Sequence, residues 1–166
     1  TSDLPLAMVR QTLEAQFGDW RATGAGGTKA FPATINSVSP RIVLIDRPDS
    51  PQSLIQGAMQ TGLKGTDDLL PVQIANEALG GSFLGRINMD LREEKHWTYG
   101  ASGNFSRNAF AAPYVLSAPV QADKTGPALA AMKQNVAAYL TTAPMTAAEF
   151  ERSINSATRS LSGEFE

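Results

Sequence analysis

Apolar residues recur with two different periods along this chain, and the switches between them predict its elements. Val9, Leu13 and Phe17 return every four residues, which is the spacing of one helical face. Asp3 is placed to cap that helix, Pro5 falls in its first turn, and Gly18 is a stop. Residues 22–39 are rich in Gly, Pro, Ser and Thr and predict a connector loop. The run Ile42-Val43-Leu44-Ile45 between Pro40 and Pro48 predicts a short buried strand from Arg41 to Asp46. Turn chemistry follows from Arg47 to Pro51, and Ser53 to Leu63 predicts a second strand. Leu70, Ile74, Ala78 and Leu79 stripe a helix that Asp68 caps and Gly80-Gly81 ends. Leu84, Ile87 and Leu91 mark a shorter helix closing near Lys95. The period then drops to two. Tyr99, Ala101, Gly103 and Phe105 alternate with small and polar residues, as do Tyr114, Leu116, Ala118 and Val120 beyond a turn at Asn108 to Ala112. Those two segments predict an antiparallel hairpin.

Two more helices complete the pattern. Thr125 is placed to cap one, with Leu129, Met132, Val136 and Leu140 on its apolar face. The last opens with a capping box, Thr146 and Glu149, and carries Phe150, Ile154, Leu161 and Phe165. Grouped strands and grouped helices, with no internal repeat, indicate the α+β class: an antiparallel sheet with helices packed mainly on one face. The opening helix has nothing before it to pack on, which predicts that the chain is a fragment of something longer.

Composition narrows the function classes. The 166 residues amount to about one domain. Lys and Arg total 14 against 16 Asp and Glu, so there is no sequence-wide attraction to phosphate or anionic lipid, and no nucleic-acid partner is expected. No apolar run approaches the ~18–20 residues of a membrane span, and there is no basic-then-apolar signal start. Cysteine is absent, which excludes disulfides, thiolate metal sites and cysteine nucleophiles. With His96 as the single histidine, no two-histidine zinc site can be built within this chain.

Several candidate sites have plainer explanations. The stretch Gly24 to Lys29 is no phosphate loop, because Thr28 separates Gly27 from Lys29 and a helix precedes it. His96 sits where the short helix should end. Histidine tolerates left-handed backbone angles, so a C-cap is a simpler role than general base to a serine. Asp67-Asp68 reads as helix capping, and Glu93-Glu94 between Arg92 and Lys95 reads as a solvated face. Arg92 and Tyr99 differ from these. One lies near a helix end and the other near the start of the next strand, so a chain reversal can bring both to one edge of the sheet. A permanent guanidinium and a phenol together can hold a peptide carbonyl or stabilise a developing oxyanion. Neither activates water unaided at neutral pH.

The block from Ala75 to Tyr99 contains Leu79-Gly80-Gly81, Arg86, Leu91-Arg92-Glu93 and Tyr99. It resembles the insulinase/pitrilysin family of zinc metallopeptidases, which includes the mitochondrial processing peptidases and the core proteins of respiratory complex III. The likeness is to the family's carboxyl-terminal, inactive type of domain, lacking H-x-x-E-H. It extends to the Phe17-Gly18-Asp19-Trp20 helix end, to the element from Arg41 to Pro51, and to the Thr125 and Thr146 helices. The resemblance implies a metallopeptidase-like (LuxS/processing-peptidase-like) domain spanning residues 1–166, with 22–39 as a loop inside it and both ends trimmed.

In that family two halves close into a chamber. One half binds zinc, and the other supplies an Arg and a Tyr seven residues apart, which Arg92 and Tyr99 match. The resemblance therefore assigns Arg92 and Tyr99 to substrate and transition-state support, and Gly80, Gly81, Ser82 and Phe83 to substrate binding. It places zinc on a partner domain or subunit and none on this chain, which is not expected to be active alone. A peptide is the implied substrate, and a periplasmic or secreted location follows by analogy. The alternative is a non-catalytic scaffold of the same fold, as the core proteins are. Two departures stand out: His96 where the family often has Gly, and Gly85 where it often has Ser before Arg.

Overall fold

The alternation between Tyr114 and Val120 places one strand at the centre of the fold. A computed structural model describes residues 3–28 and 39–164. In it β3 (Tyr114–Gln121) is the middle strand of a three-stranded antiparallel sheet of order β1-β3-β2. β1 (Gln52–Met59) pairs with it from Gln52↔Gln121 to Met59↔Tyr114. β2 (Ser102–Phe105) pairs on the other side, from Ser102↔Ser117 to Phe105↔Tyr114, which is the predicted hairpin. Leu116, Ala118 and Val120 point to one face and are buried there. The sheet and helices together make the α+β fold that the sequence pattern predicts.

Two helices around the sheet are locally widened. α2 (Leu70–Asn76) runs on into a π-turn at Glu77–Gly81. α3 (Arg86–Asn88) is a single turn that runs on into a second π-stretch at Met89–Glu94. α4 (Thr125–Leu140) and α5 (Ala147–Glu164) follow the sheet. Leu79, Ile87 and Leu91 meet Leu116, Ala118 and Val120 of β3 and Ala128, Ala131 and Met132 of α4 in one core. The Leu-Gly-Gly step is a packing device as well. A Cβ on Gly80 would lie 3.0 Å from the Gly103 nitrogen, so glycine lets the π-turn rest on the edge of β2 without pushing that backbone away. Buried Asn76 secures that contact. Its Nδ2 donates to the Gly103 carbonyl (2.6 Å), and its Oδ1 accepts from the Tyr114 hydroxyl (2.9 Å). Burial pushes the Tyr114 phenol up to about 12.

The capping box expected at Thr146 also carries a tertiary contact. The Glu149 backbone N–H donates to Thr146 Oγ1 (3.2 Å), and Thr146 N–H donates to Glu149 Oε2 (2.8 Å). The same carboxylate accepts two 2.7 Å bonds from Arg86, from Nε and Nη2. Arg86 donates further to the Pro144 and Ala143 carbonyls and lies 5.2 Å over the Tyr139 ring. The hydrogen bonds from Arg86 hold the Glu149 carboxyl down at about 2, from an ordinary 4.5. The folded-state value lies below the unfolded one, so the unfolded chain takes up protons first as acid is added. The contact's stabilisation is complete above pH 4.5 and is lost as pH falls through about 2. Glu149→Gln should therefore melt lower than the parent by about 2 kcal/mol at neutral pH. That gap should narrow below pH 4.5 and nearly close at about pH 2. Melts across this range check it; a constant gap would mean that the pair does not carry the stability.

Several expectations are corrected. Arg41 to Asp46 forms no buried strand: Ile42 and Leu44 are 90% and 88% exposed, and the segment pairs with no described strand. Four aliphatic residues supply strand propensity, but a strand exists only where a neighbour accepts its ladder. The strand predicted from Tyr99 begins at Ser102, and the one predicted to Leu63 ends at Met59. Phe150, Ile154 and Leu161 remain largely exposed, and α5 buries Ser153 instead. Phe165 lies outside the described residues, as do residues 29–38 of the expected connector.

α1 (Leu6–Phe17) belongs to a separate unit, Thr1–Ala33, while everything described above lies in Thr34–Glu166. It starts from Pro5, not from an Asp3 cap, and Gly18 keeps right-handed angles. No described helix is long and apolar enough to cross a membrane.

Candidate functional site

Arg92 is positioned by its neighbour. Leu91 is fully buried and anchors the π-stretch Met89–Glu94, while Arg92 beside it reaches the surface. Isolated π-turns give up regular i→i−4 bonding and occur often at functional sites. Here the wide turn continues past the helix end: Lys95 N–H donates to Asp90 O (3.1 Å) and Trp97 N–H to Leu91 O (2.9 Å). A Lys95–Asp90 ion pair, with Asn135 Nδ2 donating to Asp90 (2.7 Å), fixes the outer side of the turn to α4.

His96 makes the reversal. Its φ is 57°, the left-handed region that costs a non-glycine residue about 1 kcal/mol. Its Nδ1–H donates to the Arg92 carbonyl (3.0 Å), so the ring closes the helix end from one residue beyond the C-cap, which is Lys95 and not His96 as the sequence suggested. The chain then ties itself to β3. Gln121 N–H donates to Trp97 O (3.0 Å), and the Thr98 hydroxyl donates to the Pro119 carbonyl. The backbone on the near side of Tyr99 is thus held, while its side chain stands 87% exposed.

Arg92 and Tyr99 line the same open cleft of about 350 Å³, together with Gln52, Glu93, His96 and Gln121. The guanidinium stacks 4.4 Å from the Phe83 ring centre, and its Nε lies 3.5 Å from Glu93 Oε1. Gly80, Gly81, Ser82 and Phe83 line a neighbouring cleft of about 340 Å³, and Tyr99 borders both. The structure therefore brings all the residues singled out in the sequence around one exposed phenol. Gly80 and Gly81 serve packing at the same time: a Cβ on Gly81 would lie 2.7 Å from Asn76 Nδ2.

Sequence reasoning missed Asn88. It is 3% exposed, donates from Nδ2 to the Phe83 carbonyl (2.7 Å) and accepts at Oδ1 from Ala101 N–H (3.0 Å). This one amide ties the Phe83 loop to the segment after Tyr99. The available signal was a polar residue at a core position, between Ile87 and Leu91 on the helical period.

The arrangement supplies a cation and a hydroxyl donor on a concave, solvent-open surface. Among the described residues no three His, Asp or Glu side chains converge as a metal site.

The profile of the family described as peptidase M16 inactive domain matches residues 1–157. Among solved structures, the peptidase M16 inactive domain from Pseudomonas fluorescens superposes with a TM-score of 0.57 at 25% identity, over 69% of this chain and 27% of that one. A conserved protein from Enterococcus faecalis V583 superposes with a TM-score of 0.55 at 20% identity, over 66% of this chain and 26% of that one. This chain thus spans about a quarter of the length of either relative. No curated protein matches.

Proposed function

Because the chain belongs to the peptidase M16 family as one of its inactive-type domains, we propose that it is the substrate-handling half of a two-part peptidase. The zinc-binding half is a partner domain or subunit. The observation that carries the proposal is that Arg92 and Tyr99 line one cleft, joined by the reversal at His96.

The chemistry follows from the two groups. The guanidinium is planar, always charged, and carries its donors in a rigid fork, so it suits backbone carbonyls of an extended peptide. Stacking on Phe83 limits its freedom before substrate arrives. The Tyr99 hydroxyl donates to the oxygen that becomes negative as the scissile carbonyl turns tetrahedral. Neither group generates the nucleophile, and among the described residues no three His, Asp or Glu side chains converge to hold a zinc ion, so this reading puts activation of the attacking water on the opposite half. The reading makes no use of His96 as a base.

Arg92→Lys keeps the charge and removes the fork. In the assembled peptidase it should lower kcat/KM about tenfold toward a peptide substrate. Steady-state kinetics with the variant chain paired to an unaltered zinc-bearing half make the measurement. An unchanged kcat/KM would leave the chain as a scaffold of the same fold.

A further inference from the structure

The strained residue at the lip of the cleft has a chemistry that its capping role does not use. His96 occupies left-handed backbone angles that glycine adopts without strain. Strain of this kind persists where the side chain has a task, so the inference runs from the observed outlier to a role. The ring lines the same cleft as Arg92, Glu93 and Tyr99. Its Nδ1 is bonded to the Arg92 carbonyl, and a carbonyl only accepts, so Nδ1 carries the proton. In the neutral ring that leaves the lone pair on Nε2, for which the described residues offer no partner. The backbone fixes this tautomer by the same bond that closes the helix. Arg92, a charged donor in the same cleft, suits carbonyls; Nε2 presents the complementary acceptor four residues along the chain.

We propose that His96 is a substrate-contacting residue, whose Nε2 accepts a hydrogen bond from a backbone or side-chain N–H of the bound peptide while Arg92 holds a carbonyl. The inference rests on the peptidase reading above. It assigns this cleft a preference for a peptide with an N–H donor beside the segment that Arg92 grips. His96 affects binding and not the chemical step, because the oxyanion contact belongs to Tyr99.

Three substitutions separate contact from cap, all in the assembled protein with a peptide substrate. His96→Gly fits the backbone, so it should fold and melt about 3 °C higher, while KM rises roughly fivefold with kcat within twofold of the parent. In His96→Asn the amide reaches the place of Nδ1; it keeps the cap and should show the same rise in KM. In His96→Gln the amide reaches the place of Nε2; it gives up the cap, melts lower, and should restore KM to near the parent value. If Asn preserves KM and Gln does not, His96 is a cap only and the proposal fails. Equal KM in all three also overturns it. Tyr99→Phe measured alongside keeps the two readings distinct: a fall in kcat there with a flat His96 series sinks this inference alone, whereas no change in either sinks the peptidase reading.

Discussion

Tyr99→Phe is expected to lower kcat about 10²-fold in the assembled peptidase, with KM little changed and the melting temperature of the chain unaltered. The magnitude is that of losing one donor to a developing oxyanion in a water-excluded site. The specificity comes from where the side chain stands. Its ring is 87% exposed, so deleting the hydroxyl removes no core contact and leaves no buried group unpaired. The flanking backbone is held independently through Trp97, Thr98 and Ala101, so the ring's placement does not depend on its own hydroxyl. A fall in kcat at constant stability would mark an interaction made only in the transition state. A KM effect at constant kcat would shift Tyr99 to ground-state binding, and turnover equal to the parent would remove it from the reaction. Unfolding in step with lost activity would show that the exposed ring has a structural role, which the geometry gives no reason to expect.

The second large effect is on stability. Leu91→Ala should cost about 3 kcal/mol, within the range for a fully buried leucine, and lower the melting temperature by about 10 °C. Leu91 is 0% exposed and packs among Ile87, Val120 and Met132 in the core, and its carbonyl accepts the Trp97 N–H. The truncation leaves a cavity beneath the π-stretch that holds Arg92. Calorimetry or denaturant titration measures the loss. A cost below about 1 kcal/mol would mean that the π-stretch collapses onto the cavity, so that it is softer than its burial implies. The adjacent substitutions should thus separate: Leu91→Ala acts on folding and Arg92→Lys on substrate, although they are neighbours in sequence.

How legible the molecule was depends on the range of the interaction. Helices with local signals were readable. The Thr146–Glu149 box is present as the sequence predicts, since its bonds span three residues and need nothing distant. The hairpin of β2 and β3 was readable for a similar reason, because a short turn sets its register. The left-handed angle of His96 was anticipated from residue type and position. The run Ile42 to Ile45 was misread, because burial is decided by a partner strand that composition cannot supply. The apolar stripe of α5 was visible, but not that it would bury Ser153 and make a half-buried contact through the polar pair Glu149 and Arg86, which are 63 residues apart.

The candidate site divides along the same line. The sequence alone determined which groups are available: the Arg92 guanidinium and the Tyr99 phenol seven residues apart, one histidine, no cysteine, and no zinc motif. Those are matters of chemistry and spacing, and they exclude a two-histidine zinc site within this chain before any coordinate is known. Only the tertiary structure decided that the two groups share a concave surface. That outcome required the widening of two helical turns, a residue held at φ 57°, and the buried Asn88 joining two loops. The angle at His96 follows from residue type and a bond four residues back, but the widened turns are packed against β3 and α4, and no local pattern of residues encodes that packing.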